Sequence, residues 1–344
     1  TSFQAVRSGP RGQQTSVFTR GTNSNNTLFM INGSPVTDHS TTNSLFDAGV
    51  DSVTYADSID LYKGSQSTLW GPGAIGGAIN INTGGALEDS VTVKGGSNNT
   101  AGVGINYFTA QPSGIYSIKV FQETSDGYSI VEGGDADGYG YQTLNFDSTH
   151  HTNVGKIATT VVYRDSDAEL DGSGTDDTDY TSDSKFYFLQ ARYESDLFNF
   201  VIDQNVHDRE YVNGSEIDNY DSATNHFKLS HTNSFGAIEY TVGTEGSDYS
   251  AKFENRGSYN SSVDKSAQAN GYFVNADYSL GDFIFNTGVR HDTNSLHDDV
   301  DTYRLGVGYK INEHMTAIAG SNTGFRAPTL YEMYGADNFG YTGN

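Results

Sequence analysis

Residues 57–83 read DSIDLYKGSQSTLWGPGAIGGAININT, and this stretch decides the fold. Ser58 to Lys63 is a short charged and β-branched run that turns at Gly64. A polar segment then leads to Trp70, the only tryptophan in the chain. Six of the fifteen residues 71–85 are glycine, at 71, 73, 76, 77, 84 and 85. That density means backbone packed on backbone, or turns with positive φ, and excludes helix. Ala78 to Ile81 reads as a buried strand. Before this stretch the chain looks like a small α+β unit; after it, like a long series of alternating strands.

Working outward, Ser16 to Arg20 alternates weakly. Thr27-Leu-Phe-Met-Ile31 is a continuous apolar run ended by Asn32-Gly33, which reads as a strand buried on both faces and closed by a tight turn. Ser44 to Thr54 is expected to hold a short helix. From Glu88 onward the period changes to two. About thirteen segments alternate, near 88–97, 101–111, 114–124, 140–151, 153–164, 184–195, 197–209, 221–231, 236–247, 267–278, 283–293, 300–310 and 314–323. In 303–309, Tyr303, Leu305, Val307 and Tyr309 share one face, and Arg304, Gly306 and Gly308 the other. Tyr187, Leu189, Ala191 and Tyr193 oppose Phe188, Gln190 and Arg192 in the same way. Aromatic residues at the ends of an apolar face mark the interfacial girdles of a membrane barrel. Short turns at 111–114, 152–153, 196, 234–236, 281–282 and 312–313 alternate with long loops expected at 125–139, 165–183, 209–220 and 248–266. That alternation fits short periplasmic turns and long outer loops. An odd strand count reads as a cut chain. The fold class is therefore an incomplete antiparallel membrane β-barrel with a small N-terminal α+β unit, divided as 1–86 and 87–344.

Composition agrees. The chain of 344 residues has 40 Gly, 5 Pro, 23 Tyr, 19 Phe and no Cys. Mean hydropathy is −0.53. A net charge of −24 leaves no basic patch for nucleic acid. The lack of Cys rules out disulfides and thiolate metal sites. No run approaches the length of a membrane helix, which says nothing against a strand barrel. No signal peptide opens the chain, which starts mid-pattern at Thr1. The acid lies largely in loops, at 135–138 (DADG) and 171–183 (DGSGTDDTDYTSD), where it serves either solvation or calcium.

The quoted stretch, together with SVFTRGTNSNNTLFMINGSPV at 16–36, resembles the plug domain of TonB-dependent outer-membrane receptors, and most nearly their vitamin B12 (cobalamin) branch. Arg20-Gly-Thr-Asn23, Leu28 to Gly33 and Ile59 to Ile81 match the plug pattern position by position. Thr323-Gly-Phe-Arg-Ala-Pro-Thr-Leu-Tyr331 matches a signature found midway through these barrels. Two motif groups in the correct order make the resemblance specific, with the plug match covering about 70 residues. There are departures: Gly64-Ser65 replaces the usual Gly-Pro, and Trp70 stands where Tyr is more usual.

The resemblance implies a plug inside a barrel of the 22-stranded type. It also implies a bacterial outer-membrane location among outer-membrane lipid, and uptake of a scarce large nutrient driven through TonB. The energy-coupling box is expected to lie before Thr1 and the last barrel strands after Asn344. Cobalamin is the expected ligand, with a ferric siderophore or haem as the alternative. The ligand would meet the first plug loop (Ser8 to Gln13) and the second (Thr37 to Asn43), through Arg11, Gln13, Asp38, Ser40 and Asn43. The resemblance also places calcium at Asp135 and Asp137, with partners from the next loop among Asp165, Asp167, Asp177, Asp179 and Asp183. Ser129 stands where the family carries an acid, a departure from that site. Arg20 is expected to form a buried ion pair, with Asp60 or with the wall.

Other motifs carry less. Gly71-Pro-Gly73-Ala-Ile-Gly76 formally satisfies G-x-G-x-x-G, but a strand follows where a dinucleotide site needs a helix. His150 and His151 are adjacent on a strand, so they point to opposite faces and cannot easily share one ion. No nucleophile turn of the G-x-S-x-G type is present, so no enzyme is expected. A secreted calcium-binding β-rich protein is the reading from another class. It needs repeated Gly/Asp nonapeptides or a catalytic cluster, and neither occurs.

Overall fold

The computed structural model describes residues 3–335, apart from Asn43, Leu45, 50–52, Ala86, 173–175 and 258–259. Its first unit is built from β1 (Phe3–Arg7), β2 (Thr15–Thr19), β3 (Thr27–Ile31), β4 (Ser34–Pro35), β5 (Ser58–Lys63), a one-turn helix α1 (Ser67–Trp70) and β6 (Gly77–Asn82). β1 and β2 pair alone; the others form a sheet in the order β4-β3-β6-β5. β3 and β6 run parallel, Thr27 opposite Gly77 through Ile31 opposite Ile81. Every residue of β3 is buried, as its unbroken apolar run requires. Asn32 and Gly33, at φ 47 and 80, close the β3–β4 hairpin with the two left-handed residues that such a turn demands. At Gly77 a Cβ would stand 2.3 Å from the Tyr62 carbonyl oxygen, and at Gly76 2.2 Å from Thr19 Oγ1. Gly76 and Gly77 are glycine because the 19–22 turn and β5 press directly on this backbone.

Thirteen antiparallel strands follow in chain order: β7 (Ser90–Gly95), β8 (Ala101–Gln111), β9 (Gly114–Ser125), β10 (Tyr139–Thr152), β11 (Gly155–Glu169), β12 (Tyr180–Glu194), β13 (Asn199–Asn213), β14 (Glu216–Phe235), β15 (Ile238–Arg256), β16 (Ser261–Leu280), β17 (Phe283–Asn294), β18 (Val300–Asn312) and β19 (Met315–Asn322). β7 and β19 end the sheet and do not pair with each other. A short helix α2 (Leu330–Tyr334) comes last, opened by a Thr329/Glu332 capping box.

Each of the thirteen segments read from alternation is one strand. Tyr187 and Leu189 are 44% and 53% exposed, whereas Phe186 and Phe188 are 1%. The outward face carries the aliphatic band, with aromatic rings at its ends such as Tyr163 against Tyr187 and Phe283 against Tyr309. The inward face packs on the plug. Phe29, Ile31, Phe46, Ile79 and Ile81 form one core with Val162, Phe186 and Phe188 of the wall. Each such side chain contributes about 1.5–3 kcal/mol by leaving water.

Three expectations change. Segments 209–220 and 248–266 are not long loops. β13–β14 and β15–β16 continue as hairpins beyond the apolar band, Asn213 pairing with Glu216 and Asn255 with Ser261. Polar strands lack an apolar face, so alternation could not reveal these extensions. Ser44 to Thr54 forms no helix among the described residues. Within it, Phe46 stacks on Phe29 at 4.8 Å. Arg20 is exposed at φ 50 and forms no ion pair with Asp60. Asp60 instead accepts from Asn82 Nδ2 at 2.7 Å, and the exposed arginine keeps its hydration.

Candidate functional site: the seam between plug and wall

The second plug loop is fastened to the wall by a buried charge pair. Asp38 accepts from Arg209 Nη2 at 2.7 Å, from the Ser40 amide at 2.8 Å and from Ser40 Oγ at 2.6 Å. Asp38 and Ser40 are almost fully buried. Burial alone would raise the Asp38 carboxyl, but Arg209, His207 and the Ser40 bonds outweigh it and hold it below the usual range. His39 stacks on Tyr249 with ring centroids 4.0 Å apart, and burial pushes its imidazole down to about 4. Its backbone amide donates to Ser222 Oγ and its carbonyl accepts from the Tyr331 amide. The segment after β19 thus ties back onto this loop, with Thr329 Oγ1 donating to the Thr41 carbonyl at 2.7 Å.

The first plug loop meets a different part of the wall. Arg11 pairs with the buried Glu123 at 3.0 Å and lies over the Tyr141 ring. Glu123 also takes Lys94 Nζ at 2.5 Å and the Tyr139 hydroxyl at 2.7 Å. Gln13 is buried, and its Nε2 has no partner among the described residues. Arg11, Gln13, Asp38 and Ser40 therefore all lie on the plug–wall seam, while Asn43 lies outside the described residues.

Lower down, wall side chains reach the plug main chain. Arg192 Nη2 donates to the Asn32 carbonyl, Asn205 Nδ2 to the Pro35 carbonyl at 3.2 Å, and Lys119 Nζ to the Tyr55 carbonyl at 3.0 Å. Lys228 Nζ donates to the Leu69 carbonyl at 3.2 Å and sits 4.9 Å over the Trp70 ring. It also pairs with Glu245, which pairs with Arg290 at 2.7 Å. A cavity of about 140 Å³ beside them is lined in part by Trp70, Glu245 and Arg290. None of the wall partners had been singled out from sequence. Their signal was nonetheless present: charged residues on the face opposite the aromatic one, as at Arg192, Lys228 and Arg290.

The acidic residues divide. Asp165, Asp167 and Asp183 lie on strands with their side chains on the outward face. Asp165 accepts from Gln142 Nε2 and the Tyr163 hydroxyl, and Asp167 stands opposite Asp183. The residues that meet Asp135 and Asp137 are Glu169, Asp171 and Asp176. Glu169 accepts from the Gly138 amide at 2.7 Å, Asp176 from the Asp135 amide at 3.1 Å, and Asp171 from Ser129 Oγ at 3.0 Å. Burial, with Asp171, Asp135 and Glu169 around it, pushes the Asp137 carboxyl up to about 7. Its Oδ2 is buried without a partner among the described residues. No group of three or more acidic or histidine ligands is arranged to hold a metal among the described residues. Asp177 accepts from Asn213. His150 lies near the 111–114 turn, with Nδ1 3.0 Å from the Ser113 carbonyl.

Comparison with known proteins agrees with this architecture. Residues 96–344 match the family "TonB dependent receptor-like, beta-barrel", and residues 1–78 match "TonB-dependent Receptor Plug Domain". The chain is 29% identical to the vitamin B12 transporter BtuB of Photobacterium profundum over 97% of its own length and 56% of that protein's. It is 25% identical to BtuB of Vibrio vulnificus, over 96% and 57%. Among solved structures, the copper transporter OprC superposes with a TM-score of 0.78 at 15% identity, covering 97% of this chain and 60% of that one. The ferric yersiniabactin uptake receptor FyuA of Yersinia pestis gives 0.69 at 17%, covering 91% and 58%. The chain thus spans a little over half the length of the curated relatives it matches. A plug sheet packed on the inner face of an antiparallel wall, matched by both family profiles in that order, places this chain in the TonB-dependent receptor family of outer-membrane β-barrel proteins.

Proposed function

We propose that this protein takes part in TonB-dependent uptake of a scarce, large nutrient across the outer membrane, and that the nutrient is cobalamin. The observation that carries the reading is the plug's attachment. Its apical loops are held to the wall by exchangeable polar contacts such as Asp38–Arg209 and Arg11–Glu123. Ligand contacts at Arg11, Gln13, Asp38, Ser40 and Asn43 would compete with these bonds and shift the plug between conformations, with no covalent chemistry by the protein. Energy relayed through TonB would then open a path. The similarity to two vitamin B12 transporters over nearly the whole chain favours cobalamin over a siderophore or haem.

Calcium belongs to the same proposal. Asp135 and Asp137, joined by Asp171, Asp176 and Glu169, crowd negative charge around a buried unpartnered carboxylate oxygen. A hard divalent cation would neutralise that charge and order the outer loops. The decisive measurement is equilibrium cobalamin binding to the full-length protein, with and without EDTA. Binding at or below micromolar ligand, weakened by EDTA, is expected. Tight binding of a ferric siderophore or haem in its place would replace the ligand assignment, and indifference to EDTA would remove calcium.

A further inference from the structure

The chain that follows β19 leaves the wall at Thr323, which still pairs with Tyr303, and folds back over the plug. It touches the plug at two places. At one end the Gly73 amide donates to the Phe325 carbonyl at 3.0 Å, and Ser65 Oγ donates to the Thr323 carbonyl at 2.9 Å. The approach is close: a Cβ at Gly324 would stand 2.6 Å from Ser65 Oγ and 2.9 Å from Ser67 Oγ. At the other end the Tyr331 amide donates to the His39 carbonyl at 3.1 Å, and Thr329 Oγ1 donates to the Thr41 carbonyl at 2.7 Å. The first end thus holds the segment between β5 and β6, and the second end holds the second plug loop. The whole of β5 separates these two plug segments in sequence.

Between its ends the returning chain is braced. Arg326, next to the first contact, makes a bidentate pair with Glu332, next to the second, at 2.6 and 2.8 Å. The Glu332 carboxylate also accepts from the Thr329 amide at 2.9 Å, and Thr329 Oγ1 accepts from the Glu332 amide at 3.0 Å. Thr329 is therefore both the cap of α2 and the anchor on Thr41. A fork-to-carboxylate pair fixes orientation as well as distance, and Pro328 fixes its own φ in the chain between. At α2 the contact with the wall is made mainly by Leu330, fully buried among Tyr249, Phe253 and Val263, and by the Tyr331 and Tyr334 rings. Apolar burial is non-directional, so it lets the helix turn where hydrogen bonds would not. His39, Gly73, Phe325 and Arg326 all border the cavity beside Trp70, so the returning chain and both of its plug contacts adjoin open space into which they can shift.

We propose that residues 323–334 are a strap that couples the second plug loop to the segment between β5 and β6, so that displacing the loop is felt at Gly73. The coupling stands whatever the nutrient. Only its use, passing occupancy of the loop to the interior of the plug, rests on the transport reading.

The test is hydrogen exchange resolved to single amides, in the full-length protein in detergent and without ligand. Thr329→Val keeps the shape of the side chain and removes both the cap and the bond to Thr41. Exchange at the Tyr331 and Gly73 amides should accelerate together, by about 2- to 10-fold, the equivalent of one hydrogen bond. The Gly76 amide, which donates to the Asn26 carbonyl at 2.8 Å within the plug, should keep its rate. Arg209→Met, which lies outside the strap and frees the loop from the wall, should likewise accelerate Gly73. With the brace cut, that transmission should vanish: Gly73 should exchange at the same rate in Arg209→Met/Arg326→Met as in Arg326→Met alone. Acceleration at Tyr331 with Gly73 unchanged overturns the proposal. So does acceleration of Gly73 and Gly76 by the same factor, which is a general loosening of the plug. Should either Thr329→Val or Arg209→Met fail to fold, the other carries the test. No nutrient enters the experiment, so its failure is distinct from failure of the cobalamin assignment.

Discussion

Asp38 is a carboxylate 1% exposed and held by one guanidinium and one serine. Removing the guanidinium would strand it, and breaking such a buried pair costs roughly 3–5 kcal/mol. Arg209→Met is therefore expected to release the 37–42 loop, seen as faster hydrogen exchange at the Ser40 amide, with exchange in β3 unchanged. The neighbouring His39 responds to pH. Its folded value lies near 4, below the ordinary 6.5, because burial disfavours the charged form. Between those two values the unfolded chain binds the proton and the folded loop does not, so this contribution to stability is full above 6.5 and is lost as pH falls towards 4. Limited proteolysis of the loop should accelerate over that window, and His39→Gln should flatten the profile.

At the scale of elements, the loop after β9 and the loop after β11 share one acidic cluster. Asp137 has the opposite linkage to His39. Its folded value is about 7, above the ordinary 3.8, so between pH 4 and 7 the folded loops keep a proton that the unfolded chain has lost, and this contribution to stability falls as pH rises through that range. Calcium needs the ionised form, so its uptake should release a proton and tighten as pH rises through 7. Titration calorimetry at pH 6 and pH 8 should show tighter binding at the higher pH, and Asp137→Asn should abolish the difference. The sequence made these elements legible to different degrees. Strand positions were plain wherever one face met the apolar band. The partners of Asp137 were not plain, because the register of β10 on β11 sets them. Tyr139 opposite Ala168 brings Glu169 and Asp171, not Asp165, up to the 135–138 turn. The one-turn helix at 67–70 was invisible because polar residues and a glycine stop give no period.

For the whole molecule, the alternation of hairpins fixes sidedness. The β13–β14 turn at Ser215 should face the medium and the β16–β17 turn at Asp282 the periplasm. The chain has no cysteine, so Ser215→Cys and Asp282→Cys each provide a unique thiol. A membrane-impermeant maleimide should label the first on intact cells and the second only after permeabilisation; the reverse pattern would invert the assignment. The wall, its strand number and the plug strands β2, β3, β5 and β6 were legible from period and glycine content, whereas β1 and β4 were not. How the plug is fastened was not, since a contact such as Lys228 to Leu69 joins positions 159 residues apart and leaves no local trace.

The direction of those contacts has its own consequence. Arg192, Asn205, Lys119 and Lys228 all donate to carbonyls of the plug main chain, at Asn32, Pro35, Tyr55 and Leu69. A carbonyl is the same whichever side chain its residue carries. These four bonds are thus specified by the barrel alone: each reads the plug's backbone, and none reads the side chain that the plug residue carries. Loss of these bonds should accordingly be lopsided: replacing one of the four wall residues removes its bond, whereas replacing the side chain at Leu69 leaves the Lys228 bond to that carbonyl in place.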